Sequence, residues 1–406
     1  MHIRVDSRKK KIVWIFLLVF PHLKPDSVVA LWPVIERLYD IGRALSFFLV
    51  LMILIIKRKH RKTSVIWLII LMELWITFVT FLSGSQNAVT NLISFGSAIA
   101  IPLVIFCYSD SMDEVLTALF MNYEWLIYAS LISVILYFPY GMYRSSDIGR
   151  PEYFLGNENG IIFFVLPSLF LALIRIKKTG KRLRGILLII GCLVNLVVVW
   201  CVTGIVGLII ATIVVLAAFW RGKNVNYYVV LIGSILADIL VSVTRIFDSS
   251  HFFGKIITDW FGKTLTLSGR TIIWDMAMPL IKDNLLFGLG RGNHIRTSRS
   301  YLYHAHNEYF QLLLVGGVPL LIIFLCILFC LGRCFSKSSS GYFVKTIALA
   351  MLTCLYIQFI ATARVSYQLY VPLVLASFIP EIEASIVEYR EKYNIDNLPK
   401  QKKLKR

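Results

Sequence analysis

Apolar stretches of about 18 to 25 residues recur along almost the whole chain, separated by short polar clusters. This is the period of a helix that crosses a bilayer rather than that of an amphipathic surface helix. Twelve such stretches can be drawn, near 11–31, 39–56, 64–82, 89–107, 115–139, 159–175, 185–202, 203–220, 227–244, 307–332, 344–362 and 367–386. The first is interrupted by Pro21, Lys24, Pro25 and Asp26. The seventh and eighth meet at "VTGIVG", so a turn on Gly204 must separate them, or they form one bent element. The pattern predicts an all-α, polytopic transmembrane bundle of about 12 spans forming a single domain over 1–406. The segment 245–306 stands outside it as one long loop.

Composition agrees with the pattern. At 58% hydrophobic and 14% aromatic residues over 406 positions, the chain is too apolar to cover a water-facing surface. Its net charge of +19 does not point to nucleic acid, because the basic residues fall in short clusters between apolar runs. Placing the N-terminus in the cytoplasm puts "RKKK", "KRKHRK", "RIKKTGKRLR", "RGK", "GRCFSK" and "KQKKLKR" on one side, as the positive-inside rule requires. Both termini are then cytoplasmic and the 245–306 loop external. The start has the basic and apolar regions of a signal peptide, but "PHLKPD" follows where a small-residue cleavage site is wanted, so an uncleaved helix is expected. The seven cysteines lie in or beside apolar runs and imply no disulfide framework; Cys326, Cys330 and Cys334 share a helix face and read as packing.

The long loop holds eight basic residues between Arg245 and Arg299 against four aspartates, and a long loop escapes the orientation rule. Its charge needs a functional reason. Within it "TIIWDMAMPLIKD" places Ile272, Met276 and Pro279/Leu280 at helical spacing, as in an amphipathic helix lying on the bilayer. "FGLGRGN" lacks the G-K-[ST] ending of a nucleotide-binding loop and reads as a sharp turn presenting Arg291 to an anion, since a guanidinium pairs bidentately with phosphate oxygens. At the loop's exit, His304, His306, Asn307 and Glu308 stand against an apolar run. His306 is placed as a general base at an aqueous mouth, held by the helix that follows. Asn307 is read as orienting a hydroxyl or capping the helix, and Glu308 as fixing an imidazole tautomer or capping. His304 and His306 lack a third close ligand for a metal. Glu73, Glu124 and Asp238 inside spans, and Arg43 and Arg364 near outer ends, are costly there and serve either pairing or function.

The stretches "SGRTIIWDMAMPLIKDNLLFGLGRGN" and "HAHNEYFQLLLVGGVPLLIIFL" together resemble the conserved region of the O-antigen polymerase and ligase superfamily. The matching residues are Ser268, Gly269, Arg270, Trp274, Phe287, Gly288, Gly290, His306, Asn307, Tyr309 and Gly317, and a weaker match places Gly156, Asn157 and Asn159 at the head of a middle span. Where many relatives carry a Ser-Arg pair, this chain has Thr203 and Gly204, so Arg144 or Arg150 is expected to stand in. The resemblance implies a glycosyltransferase of the bacterial plasma membrane. It would polymerise glycan repeat units delivered on a polyisoprenyl diphosphate at the outer face, without a metal or other cofactor. It implies His306 as the catalytic base, with Arg270 and Arg291 on the donor diphosphate. Asn307, Arg150, His304, Arg296, Arg299 and Trp274 complete the expected substrate site, and Trp260, Tyr301 and Tyr303 offer stacking faces for sugars. Expected partners are the lipid-linked oligosaccharide, the bilayer, a chain-length regulator and a flippase. A ligase that transfers a finished glycan to lipid or protein, and a non-enzymatic polysaccharide flippase or exporter, are the alternatives.

Overall fold

A computed structural model describes residues 7–57, 63–144, 151–242, 270–292, 294–296, 302–337, 342–364 and 366–395. Helices make up nearly all of it: α1 (Ser7–Val19), α2 (Asp26–Leu31), α3 (Pro33–Lys57), α4 (Ser64–Ser83), α5 (Ala88–Cys107), α6 (Met112–Tyr137), α7 (Ile162–Thr179) and α8 (Leu183–Val198). The order continues with α9 (Val202–Arg221), α10 (Tyr227–Ser242), α11 (Arg270–Asp283), α12 (Glu308–Lys337), α13 (Tyr342–Phe359), α14 (Tyr367–Ser377) and α15 (Ile379–Lys392). Two short antiparallel pairs, Tyr143–Arg144 with Pro151–Glu152 and Ile295–Arg296 with Leu302–Tyr303, are the only strands among the described residues.

The apolar runs form the helices expected of them, with differences at the weak points. Seven helices among the described residues are long and apolar enough to cross a membrane: α3, α4, α5, α6, α9, α12 and α13. The α14–α15 pair, bent by 64°, would make an eighth, so the expected count of about twelve is an upper reading. The first expected span is not continuous. Helix α1 ends after 13 residues and a 3-10 turn over Phe20–His22 leads to the six-residue α2, because Pro21 and Pro25 cannot continue a helix. Helices α8 and α10 have 16 residues each. The turn between α8 and α9 falls at Trp200, in the left-handed region at φ 58°, not on Gly204. Gly204 and Gly207 lie inside α9 and bring it against α13, where a Cβ on Gly207 would meet the Cys354 sulfur at 2.7 Å. Small residues at such a contact let two apolar helices approach closely.

Polar residues inside the bundle are tied together. Ser130 of α6 donates to the Asn195 amide oxygen of α8 at 2.8 Å, and Asn195 donates in turn to Gly191 O at 2.8 Å. At one end of the bundle the basic clusters gather. Arg8 and Lys178 both meet Asp113 at the head of α6, Lys57 donates to Cys107 O at 3.0 Å, and Arg390 donates to Lys177 O at 2.6 Å.

Helix α12 is broken in the middle of its apolar run, and the break positions the loop before it. Gly317 has φ 66° and ψ −165°, and Pro319 carries no N–H, so the carbonyls just before the break lose their helical partners. The 285–290 segment replaces them: Leu289 N–H donates to Leu314 O at 2.6 Å and Gly290 N–H to Val315 O at 3.0 Å. In the other direction Val318 N–H donates to Leu285 O at 2.7 Å. The Trp75 indole donates to Gly316 O at 2.8 Å, and its ring stacks on Phe287 at 5.8 Å. The approach leaves no room for side chains, since a Cβ on Gly288 would lie 2.6 Å from Gly316 N and 2.7 Å from Leu314 O.

Gly288→Ala combines a left-handed φ of 70° with this clash, whereas Gly222→Ala has a similar φ of 61° and nothing within 4 Å. The first is expected to destabilise by more than about 3 kcal/mol and the second by about 1 kcal/mol. Thermal unfolding of the detergent-solubilised variants checks this. Equal shifts for the two would remove the loop from the stability of α12.

Candidate functional site

The polar cluster at the head of α12 is held by side chains of the helix, its cap and α11. Asn307 is the helix cap: its side-chain oxygen accepts from Phe310 N–H at 3.0 Å and its amide nitrogen donates to Asp238 of α10 at 2.6 Å. Asn307 is completely buried, so it does not reach a substrate hydroxyl, and the capping alternative is the one realised. His306 precedes the helix in the left-handed region at φ 50°, an unusual place for a residue with a Cβ. Its N–H donates to His304 Nδ1 at 3.1 Å, and the two rings lie 3.9 Å apart, tilted by 40°. His306 thus stands just before the helix, as expected. The turn is fixed one residue earlier, where Ala305 N–H donates to Gln311 Oε1 at 2.8 Å and Ala305 O accepts from the Trp274 indole at 2.9 Å.

Trp274 therefore serves the fold of the site. It is buried on α11, edge-on to Phe310 with ring centroids 6.2 Å apart, and packs with Ile273, Ala277 and Ile281 toward α12. The expected apolar face lies on the other side of the helix from this packing: Ile272 and Pro279 are exposed, and Met276 and Leu280 are partly buried. Arg270 opens α11, and its charge reaches His304. Glu308 is fully buried and accepts the Arg364 N–H at 2.7 Å, so it orients the α13–α14 linker and not an imidazole. At the head of α7, Asn157 Oδ1 accepts from Asn159 and Gly160 N–H, both at 3.1 Å.

Arg291 is engaged elsewhere. Its N–H donates to Thr80 Oγ1 at 2.9 Å and its guanidinium pairs with Glu73 at 2.5 Å; Tyr370 donates to the other oxygen of the same carboxylate at 2.5 Å. Glu73 is fully buried and Arg291 nearly so. For Glu73 the pairing alternative is the one realised, and its partner Arg291, expected on the donor diphosphate, ties the loop to α4 and α14. Glu124 is likewise taken by Arg184 in a bidentate pair. Arg144 is exposed and donates to Tyr140 O at 3.0 Å. Arg150, Arg299, Ser268, Gly269, Trp260 and Tyr301 lie outside the described residues, and of Arg296 and Tyr303 only the backbone is described, in the short strand pair. Among the described residues no three His, Cys, Asp or Glu side chains gather as metal ligands.

What remains at the mouth is a histidine pair flanked by guanidinium charge. Burial, then Arg364 and Arg270, lower the His304 pKa to about 4 from its ordinary 6.5, so this ring is neutral at physiological pH and its Nδ1 is free to accept from His306 N–H. On the rim, burial and then Asp26 raise the Glu152 carboxyl, which Ser27 approaches at 3.4 Å. Arg364 was visible in the sequence only as a costly charge near an outer end; that it shares a corner with His304 follows from the α13–α14 linker folding back over Glu308.

Because the folded protein keeps His304 neutral and the unfolded chain does not, its contribution to stability is complete above pH 6.5. That contribution is lost as the pH falls from 6.5 through about 4. His304→Asn is expected to flatten the pH dependence of thermal stability across this window. A slope unchanged from the parent would remove His304 as its source.

Residues 201–325 match a family model described as O-antigen ligase. No curated protein matches the chain. The matched segment runs from the head of α9 through the break in α12 and contains Arg270, Trp274, Arg291, His304, His306 and Asn307. Asn157, Glu73, Arg364 and Tyr370, which hold or flank these residues, lie outside it. A multi-pass helical bundle thus carries, over residues 201–325, a segment similar to the O-antigen ligase family, with the histidine turn and the glycine loop built inside it.

Proposed function

We propose that the protein is a polysaccharide polymerase of the bacterial plasma membrane, joining glycan repeat units from a polyisoprenyl-diphosphate donor at the outer face. The observation that carries this reading is the convergence of an imidazole pair and guanidinium charge, largely within the segment matched to the O-antigen ligase family. His306 is assigned as the base that takes the proton from an acceptor hydroxyl. The oxygen then attacks the anomeric carbon of the donor sugar, and the lipid diphosphate leaves with its bonding electrons. Arg270 is assigned to the departing diphosphate, whose charge grows as the bond breaks. Arg291 takes no part in this assignment, because Glu73 already neutralises it. With the basic cluster end facing the cytoplasm, both termini are cytoplasmic and the site is external. A flippase delivering the donor and a regulator of chain length belong to the same proposal.

The ligase branch is the second reading, favoured by the description of the matched family itself. The surface glycan of a deletion strain separates them. Single repeat units on an otherwise normal acceptor mean that polymerisation was lost, and long chains left on the lipid carrier mean that ligation was lost.

In the complemented strain His306→Ala is expected to abolish product at normal protein level, since base catalysis contributes about a hundred- to ten-thousand-fold in rate. Arg270→Lys is expected to fail as well, because an ammonium does not reproduce a bidentate guanidinium. Product of normal length and amount from His306→Ala would withdraw the catalytic assignment.

Orientation is checked by reporter fusions. A reporter active only outside the cytoplasm is expected to work when inserted near residue 262 and to be silent after residue 395. The reverse result would place the site in the cytoplasm and end the proposal.

A further inference from the structure

Several charges in the described part of the bundle are paired across elements: Arg291 with Glu73, Arg184 with Glu124, Lys178 and Arg8 with Asp113, and Lys24 with Glu36. Arg364 differs. Its guanidinium has no carboxylate within ion-pair distance among the described residues, yet it is only partly exposed. Its backbone is fixed, because its N–H is held by the fully buried Glu308 at 2.7 Å. Thr362 and Gln358, just before it, are buried too. A charge kept at the edge of an apolar bundle, with its backbone anchored and its head unmatched, is costly unless something else neutralises it.

The surroundings of the head indicate what that is. A Cβ on Gly160 would lie 2.8 Å from a terminal nitrogen of Arg364 and 3.6 Å from Asn157 Oδ1, so the guanidinium rests against the head of α7 in a space open only because residue 160 has no side chain. Helix α7 has 18 residues, and its positive end adds to the guanidinium charge. From the other side the charges of Arg364 and Arg270 both reach His304. The nearby carboxylate of Glu152 feels Arg364 but stands outside ion-pair distance, and Asp26 lies beside it. Two guanidinium charges from different elements thus act on one neutral imidazole, and an anion with more than one charged group would answer both.

We infer that Arg364 is a second anion-binding residue of the external site, acting across His304 from Arg270, and that it takes one phosphate group of a lipid-linked diphosphate. The inference rests on the proposed function for the identity of the ligand. A guanidinium suits the task because its fixed fork matches two phosphate oxygens at once. Gly160 contributes by leaving space for that fork.

The test uses the full chain, purified in detergent, with farnesyl diphosphate as the probe and inorganic pyrophosphate and farnesol as competitors. The parent protein is expected to bind the probe. Pyrophosphate should compete and farnesol should not, if the charged head is what is recognised; effective competition by farnesol alone would overturn the inference. Arg364→Gln is expected to weaken probe binding by about ten- to a hundredfold, the range for a lost charge-assisted hydrogen-bond pair. Arg364→Lys should recover only part of the loss. Gly160→Ala, which removes no charge but fills the seat of the guanidinium, should weaken binding severalfold and decides the matter if Arg364→Gln does not fold. Undiminished binding by folded Arg364→Gln, or by Gly160→Ala in its place, overturns the inference while leaving the functional proposal intact. A parent protein that binds no diphosphate probe would bring down both.

Discussion

Backbone hydrogen bonding in an apolar surround is the constraint on which the site depends. A helix inside hydrocarbon cannot leave carbonyls without donors, and the break at Gly317 and Pro319 creates such carbonyls in α12. The glycine-rich loop answers them with its own N–H groups, supported by the Trp75 indole. This repair explains the glycines better than a phosphate cradle would. Gly288 lies against the backbone of 314–316 and Gly317 against that of 285–286 at distances where no side chain fits, and Gly290 packs onto Thr80, Ser83 and Ser85 at the end of α4. With the loop seated there, Arg291 reaches Glu73, and the external segment is fastened to α4, α12 and α14 together.

A second consequence concerns charge. Inside the bundle, carboxylates appear as fasteners between distant parts of the chain: Glu73 with Arg291 and Tyr370, Glu124 with Arg184, Asp238 with Asn307. Each removes an uncompensated charge or amide from an apolar place and at the same time sets which helices are neighbours. The Arg364 guanidinium differs in having no carboxylate within ion-pair distance among the described residues, although its backbone N–H is held by Glu308 and its charge reaches Glu308 and Glu152.

The histidine turn illustrates how supporting residues can be mistaken for reacting ones. Trp274 and Asn307 share a short stretch of chain with Arg270 and His306, and both carry hydrogen-bonding groups. Yet both are buried, one holding Ala305 O and the other capping α12. Between them they keep His306 in a left-handed conformation that the residue would not choose alone. Their contribution is to the shape of the turn, which limits the freedom of the imidazole.

Several features are determined by the sequence alone because they depend on local composition. The apolar runs are long enough to read as membrane helices, the prolines at 21 and 25 break the first of them, "TIIWDMAMPLIKD" forms a helix, and the polar cluster at 304–308 marks where an apolar helix begins. Charge clustering pointed to one basic end, and the ends of α1, α3, α6, α7 and α15 do meet there. Other features were decided by tertiary structure, since they rest on partners far apart in the chain. Arg291 and Glu73 are 218 positions apart, and Glu308 and Arg364 are 56. The face α11 buries was set by the surface of α12 it met, and the turn after α8 fell at Trp200, leaving Gly204 against Ile162 of α7 and Gly207 against Cys354 of α13. Periodicity and composition report what a segment tends to become. Which charges cancel, and which remain to bind, depends on distances that exist only after the helices have packed.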